Sequence, residues 1–306
     1  MTTIYYKSIK DKSLRTLETA RVGCWIHVEQ PTTAEIKKIA EQYGLDEGHL
    51  TDAIDQYEVP RVEREGETIY VFVRYPTSDG DETLTTPILI ILSENMLLTV
   101  CPKVFPQLSR FINGTIEFST TQKVKLFLLL LLQISSAYTS FLNRINRDIR
   151  RLGIQIERIT SKEILQFVTL ERIVSDFLSA LLPTHGMLQS LLSGKIFKLY
   201  KEDQDLIEDI FLNKGQLIEM CRSNIKLIGN IRSAYSSIMS HNLNRVIKLL
   251  TSLTILVTIP TMVASLYGMN VRLPFADAPH AFWGILIFIF AISTLLTLVF
   301  VRNRWL

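Results

Sequence analysis

The sequence predicts an α/β domain, then a run of long helices, then two transmembrane α-helices near the C-terminal end. Three observations carry this prediction. Leu249 to Met269 and Ala278 to Val301 contain no charged side chain, and each is long enough to cross a hydrocarbon core of about 30 Å. Roughly the first 115 residues mix β-rich runs with turn residues and one helical stretch. From Ser233 onward, small polar residues recur in alternating steps of four and three, which keeps them on one face of a supercoiled helix.

Composition supports this division. The 306 residues are 47% hydrophobic with a mean hydropathy of +0.22, and the apolar excess sits at the C-terminal end. The formal charge is only +3, and basic residues do not cluster with aromatic ones, which argues against nucleic-acid binding. Cys24, Cys101 and Cys221 are far apart and lack CxxC spacing. They read as reduced thiols in or near cores rather than as a disulfide framework or a zinc site. Met1 to Gly23 is rich in charge and has no apolar core or cleavage signature, so it is not a signal peptide. Walker A, G-x-S-x-G and HExxH motifs are missing and the five histidines are dispersed, so an enzyme is not expected.

Taken in order, Val22 to Val28 is a strand. Pro31 to Tyr43 is a helix with Ile36, Ile39, Ala40 and Tyr43 on one face and Gly44 as its stop. Arg61 to Tyr75 forms a hairpin turning at Glu65-Gly66-Glu67, and Pro87 to Val100 a second one turning near Ser93-Glu94-Asn95. Asp79-Gly80-Asp81-Glu82 is expected as an acidic loop between them. Lys125 to Arg144 is helical, with 17 uncharged residues from Leu126 to Leu142. Two readings are open for it, a third span or a buried helix. The polar Gln133, Ser135, Ser136, Tyr138, Thr139 and Ser140 favour burial. A charged surface helix continues over Asn143 to Arg158, and Ser161 to Ser193 is helical with a break near Pro183. A last long helix opens with acidic residues from Lys201 to Asp209, where the helix dipole favours negative charge. A divalent-cation site shared with another subunit is the other reading of those acids.

Arg245 and Lys248 precede the first span and Arg302 and Arg304 follow the second, while the loop from Val271 to His280 holds only Arg272 and Asp277. The excess of positive charge therefore places both termini in the cytoplasm and the short loop outside. Ser233 to Asn270 is roughly 56 Å long as a helix, so its first half projects from the bilayer. Its regular row is Ser233, Ser237, Ser240, Asn244, Ile247, Thr251, Thr254, Thr258, Thr261, Ser265 and Gly268. Such a row either lets helices pack closely or lines a water-filled path. Its continuation outside the membrane, where a packed coiled coil would use Leu or Ile, favours the path. Two helices per chain cannot enclose a pore, so a conducting form needs several subunits. The bulky second span suits contact with lipid.

Tyr267-Gly268-Met269-Asn270 after one span, followed by a short loop, a second span and the basic end Arg302-Asn303-Arg304-Trp305-Leu306, resembles the CorA family of magnesium channels. Asn244-Arg245-Val246-Ile247-Lys248-Leu249-Leu250-Thr251 is similar to that family's entry to its first span. Trp25 to Val28, Gly44-Leu45, Leu50 and Pro60 to Glu63 match its cytoplasmic domain more loosely.

The resemblance implies a funnel-shaped homo-oligomer, a pentamer, in the cell (inner) membrane, conducting Mg²⁺ passively and gated by intracellular Mg²⁺. It divides the chain into a cytoplasmic α/β domain (1–118), a cytoplasmic helical layer (119–200), a stalk helix (201–248), a pore-lining span (249–269), an extracellular loop (270–281), a second span (282–301) and a basic cytoplasmic tail (302–306). It makes Tyr267, Gly268, Met269 and Asn270 the selectivity filter. Asn244 and Thr261 become polar rings, with Ser233, Ser237, Ser240, Thr251, Thr254, Thr258 and Ser265 as further lining and Ile247 and Leu250 as the hydrophobic constriction. Asp209, with Asp205 and Glu208, is one half of a regulatory Mg²⁺ site. Asp46, Glu47, Asp52 and Asp55 are candidates for the other half. Ser233 stands where several family members carry an acid, Thr258 replaces a common Met, and Arg272 and Asp277 stand in a loop expected to be acidic. Zn²⁺, Co²⁺ or Ni²⁺ transport on the same fold, or a non-conducting membrane-anchored sensor or scaffold, are the alternative functions.

Overall fold

The computed structural model describes residues 1–80, 82–153, 160–194, 196, 200–271 and 279–305. The chain divides into two compact units, Met1–Asn230 and Ile231–Leu306. In the first, seven strands form one mixed sheet in the order β2-β1-β3-β7-β6-β5-β4. They are β1 (Thr2–Tyr6), β2 (Arg15–Leu17), β3 (Cys24–Glu29), β4 (Arg61–Glu65), β5 (Thr68–Asp79), β6 (Glu82–Leu92) and β7 (Met96–Cys101). Only β3 and β7 run parallel; the other neighbours are antiparallel.

Helices cover both faces of the sheet. On one, α1 (Thr33–Tyr43) and α2 (Glu47–Asp52) bury Ile36, Ile39, Ala40 and Leu50 against Ile26, Phe72, Leu89, Leu98 and Val100. Thr32 caps α1, its Oγ1 accepting from the Glu35 N–H while Glu35 Oε2 accepts from the Thr32 N–H. Gly44 ends α1 at φ 62°, a left-handed turn that glycine adopts without steric cost. The alternate residues of the strands, Val71, Val73, Ile88, Ile90 and Leu97, are as deeply buried on the other side. There α4 (Lys123–Gly153) and α5 (Ser161–Leu192) pack. A short α3 (Leu108–Ile112) brings Phe111 to the edge of Trp25.

The apolar stretch in α4 is a core helix. Leu126, Phe127, Leu128, Leu130, Leu131 and Ile134 are at most 1% exposed. Its polar side chains are satisfied internally: Tyr138 Oη donates to the Arg74 carbonyl, Gln133 Oε1 accepts from Arg110, and Ser135 and Thr139 donate to carbonyls one turn back. Half of its most apolar window is buried within the chain. The apolar side of the helix is the side that the rest of this unit covers.

Several expectations need correction. β5 and β6 stay paired out to Asp79 and Glu82, so these two residues of the expected acidic loop belong to strands, with Gly80 at φ 60° beside them; Asp81 lies outside the described residues. α5 passes through Pro183 without a break. Burial of Leu181, Met187 and Leu188 around it outweighs the roughly 3 kcal/mol that an interior proline costs. β1, β2, α2 and α3 had no counterpart in the sequence reading. The expected surface helix over Asn143 to Arg158 is described only to Gly153, and Ile145 and Ile149 within it are buried. The three thiols are free and buried, as expected.

α6 (Lys201–Tyr267) runs through both units as one 67-residue helix. In the first unit, Ile207, Ile210, Leu217, Cys221 and Ile228 are fully or almost fully buried. Phe211 stacks on His185 of α5 at 4.1 Å. Lys214 is 1% exposed, with Nζ 4.9 Å from the centre of the Tyr138 ring. Burial lowers its pKa to about 7. An unfolded lysine keeps its proton to far higher pH, so between pH 7 and the ordinary lysine range the unfolded chain binds more protons and stability rises with pH. Below pH 7 both states are protonated and the slope vanishes. Lys214→Met is expected to stabilise this unit at neutral pH, by on the order of 4 kcal/mol before the lost cation–π contact is subtracted. It should also flatten the rise in melting temperature between pH 7 and 9.5, as thermal unfolding of the detergent-solubilised chain would show.

Candidate ion pathway

The second unit holds the remainder of α6 and α7 (Ala281–Arg302). Within α6, the least exposed residues beyond Arg245 are Lys248, Ser252, Ile255, Leu256, Ile259, Pro260 and Val263, with Ser252 wholly buried. In α7 they are Ala281, Ile285, Leu286, Ile289, Ile292, Ser293, Leu296 and Phe300. A cavity of about 350 Å³ lined by Val263, Tyr267, Ala281, Gly284, Ile285 and Phe288 lies where the two helices meet. The two covered stripes therefore face each other.

The polar row lies elsewhere on α6. At about 100° per residue, Thr251, Thr254, Thr258, Thr261, Ser265 and Gly268 centre roughly opposite the Ser252–Ile259–Val263 face. Ser233, Ser237, Ser240, Asn244 and Ile247 extend the same line, and all eleven positions are exposed in the single chain. The pairing of α6 with α7 thus uses none of them. Thr254 Oγ1 donates to the Leu250 carbonyl at 2.8 Å and Thr261 Oγ1 to the Val257 carbonyl at 2.7 Å. With their protons committed to the backbone, both hydroxyls keep lone pairs free for a donor outside the helix. Leu250, on the flank of the row, is 55% exposed.

The helix ends at the Tyr-Gly-Met-Asn segment. The Gly268 N–H is shared between the carbonyls of Ala264 (3.0 Å) and Ser265 (3.2 Å), and Met269 donates to Leu266. Gly268 is not in the left-handed region, and an added Cβ would meet nothing nearer than 3.4 Å. Among the described residues nothing within one chain requires glycine there. Asn270 is exposed, and among the described residues no hydrogen bond occupies its side chain. Arg272 and Asp277 lie outside the described residues.

The acids at the start of α6 divide into two sets. Asp205, Glu208 and Asp209 are exposed, whereas Asp203, which the sequence reading did not single out, is 7% exposed and burial raises its pKa. Asp46, Glu47 and Asp55 are exposed, and Asp52 is tied to Arg61 at 2.7 Å. Among the described residues the single chain brings together no group of three or more His, Cys, Asp or Glu placed to hold a metal ion.

The first unit is built on an α/β sheet, and the second holds two helices long and apolar enough to cross a membrane, the first with a polar face turned away from the other. Comparison with known proteins makes this specific. The family described as "CorA-like Mg2+ transporter protein" matches residues 21–302, and the chain belongs to it. The cobalt/magnesium transport protein CorA of Methanocaldococcus jannaschii is 24% identical over 289 residues, covering 92% of this chain and 91% of that one. The magnesium transport protein CorA of Helicobacter pylori is 22% identical over 306 residues, covering 92% and 90%. The complete structure of the CorA magnesium transporter from M. jannaschii superposes with a TM-score of 0.88 at 22% identity, covering 100% of this chain and 99% of that one. The protein is a member of a metal-transport family, not of an enzyme family.

Proposed function

We propose that this chain is one subunit of a channel that lets Mg²⁺ enter the cell passively. Copies, five in the family-based reading, place their α6 rows around a common axis with α7 outside against lipid. The observation that carries the proposal is the exposed polar row on the side of α6 opposite α7. Among the described residues that side has no partner within the chain, and a ring of copies gives it one. Phe282, Trp283, Ile287 and Phe290, exposed on α7, suit the bilayer. The charge bias sets both termini in the cytoplasm and the 270–281 loop outside, across the inner membrane.

Mg²⁺ keeps its water shell tightly and prefers oxygen partners. The waters of that shell point their hydrogens outward, so a selective path needs acceptors. Asn270 amide oxygens and Gly268 carbonyls supply them at the outer mouth, with Tyr267 and Met269 completing the filter segment. Gly268 keeps the backbone bare where subunits and ion come together, a demand that no single chain makes. Thr254 and Thr261, with their hydroxyl protons turned to the backbone, are acceptors further in, alongside Thr251, Thr258 and Ser265. Ile247 and Leu250 form a constriction that closes by dewetting, and Asn244, Ser240, Ser237 and Ser233 continue the path inward. Co²⁺ is the second reading, favoured by the name of the M. jannaschii relative. The lack of His, Cys or acidic side chains along the row weighs toward Mg²⁺.

Intracellular Mg²⁺ closes the channel by binding between subunits, with Asp209 and its neighbours Asp205 and Glu208 as one half-site. A site split between chains accords with the absence of a three-acid group among the described residues of one chain. Purified protein in liposomes is expected to admit Mg²⁺ without ATP. Asp209→Ala should shift the Mg²⁺ concentration for half-closure upward several-fold. An unaltered dose-response would return Asp209 to its electrostatic role at the helix N-terminus.

A further inference from the structure

We propose that Lys214 makes the seating of α6 against α4 and α5 sensitive to protons, so that acidification around the first unit loosens the helix and raises the Mg²⁺ concentration that closes the channel. The effect on closure rests on the function proposed above, whereas the loosening concerns the first unit alone.

Position 214 belongs to the stripe along which α6 packs. Ile207, Ile210, Leu217 and Cys221 share that face and are each at most 1% exposed, and an apolar side chain would continue it. The chain places a lysine there, buried as deeply as its neighbours. Its Nζ lies 4.9 Å from the centre of the Tyr138 ring on α4, and among the described residues it makes no hydrogen bond and no ion pair. The surrounding groups supply no counter-charge. Tyr138 donates its proton to the Arg74 carbonyl of β5 and meets Phe177 of α5 edge-on at 5.1 Å, and burial pushes its phenol far above the ordinary tyrosine range. From α5, His185 faces the residue after Lys214, its Nε2 3.6 Å from where a Cβ on Gly215 would stand, and burial lowers its pKa. Asp176, also on α5, acts on Arg74 and not on Lys214. Cys221, about two turns along α6, has its thiol pushed up to about 12.

A cation–π contact recovers only part of the cost of stripping water from an unpaired ammonium. The packed position therefore favours neutral lysine, and burial lowers the pKa to about 7. A lysine released to water holds its proton to about pH 10.4. Between those limits the released form binds more protons than the packed form, so acidification favours release. Below pH 7 both forms are protonated and the gain levels off. These two values make release roughly tenfold more frequent at pH 6 than at pH 8.

The lysine lies close to the acids assigned to closure. Asp209 is five residues earlier on the same helix, about 7.5 Å along its axis, and α6 continues unbroken from Lys201 to Tyr267. Closure by Mg²⁺ at Asp205, Glu208 and Asp209 needs this part of α6 to be held in its seat. Release of Lys214 weakens that hold.

The test pairs two measurements at pH 6 and pH 8. One is amide hydrogen exchange along α6 in the full-length protein in detergent, corrected for the intrinsic pH dependence of exchange. The other is the Mg²⁺ dose-response of flux in proteoliposomes. In the parent, exchange over residues 207–221 should be faster at pH 6 by up to about tenfold, and half-closure should need several-fold more Mg²⁺. Lys214→Met should remove both differences, and His185→Gln should keep both. Equal corrected exchange at the two pH values in the parent, differences that persist in Lys214→Met, or differences that vanish in His185→Gln would overturn the proposal. A dose-response that stays fixed while exchange responds would overturn the link to closure. If Mg²⁺ closes the channel at neither pH, the assignment of Asp209 fails instead, and the exchange rates alone decide the role of Lys214.

Discussion

Asn270→Ala is expected to lower Mg²⁺ entry into proteoliposomes by roughly 10–100-fold for each hydrogen bond that the shell of the ion loses. A bond between a neutral group and a charged partner contributes about 1.5–3 kcal/mol, and every 1.4 kcal/mol is a factor of ten. In a ring of identical subunits the loss repeats in each copy, so selective entry should disappear. Asn270 is exposed and its side chain makes no hydrogen bond among the described residues. The thermal stability of the variant should therefore match that of the parent. Unchanged uptake would remove Asn270 from the filter. Asn270→Gln, which keeps the amide but moves it outward, should retain part of the flux.

A pair of substitutions on opposite sides of α6 should separate conduction from packing. Thr258 is exposed on the polar row, so Thr258→Leu should leave stability unchanged while lowering Mg²⁺ flux about tenfold or more through loss of a water-like contact and narrowing of the path. Ser252 is 0% exposed on the face toward α7, with Oγ donating to the Leu249 carbonyl. Forcing a larger side chain into such a place typically costs 1–3 kcal/mol, so Ser252→Leu should lower the melting temperature of the second unit. If Thr258→Leu destabilises and Ser252→Leu does not, the polar row is a packing face and the path lies elsewhere.

How legible these features were depended on how local their causes are. The two spans, the capped helix α1 and the hairpins at Gly66 and Ser93–Asn95 follow from neighbouring residues. α4 was open between two readings because hydropathy reports how apolar a segment is and not what surrounds it. Its enclosure by the sheet, α5 and α6 is a tertiary fact, and only the scattered Gln133, Ser135 and Tyr138 hinted at partners. The continuity of α5 through Pro183 is likewise decided by burial that sequence spacing does not weigh. β1 and β2 were missed because the charges from Lys7 to Lys12 mask two short strands whose pairing, Ile4 with Leu17, is set by the sheet.

The candidate pathway was legible as a row but not as a direction. Spacing alone put eleven residues on one face, and the half-buried stripe from Ser252 to Val263 then showed which side α7 takes.

Cysteine accessibility along α6 tests the central claim most directly. The native thiols Cys24, Cys101 and Cys221 are all buried, so background labelling should be low. Single cysteines at Thr254, Thr258 and Thr261, and at Ile255, Ile259 and Val263, are to be treated in proteoliposomes with a small, positively charged thiol reagent. A water-filled path along the polar row predicts rapid modification and blocked Mg²⁺ entry at the first three, protection of all three by millimolar Mg²⁺, and slow reaction at the other three. Equal, slow reaction at all six positions, with Mg²⁺ entry unaffected, would contradict it.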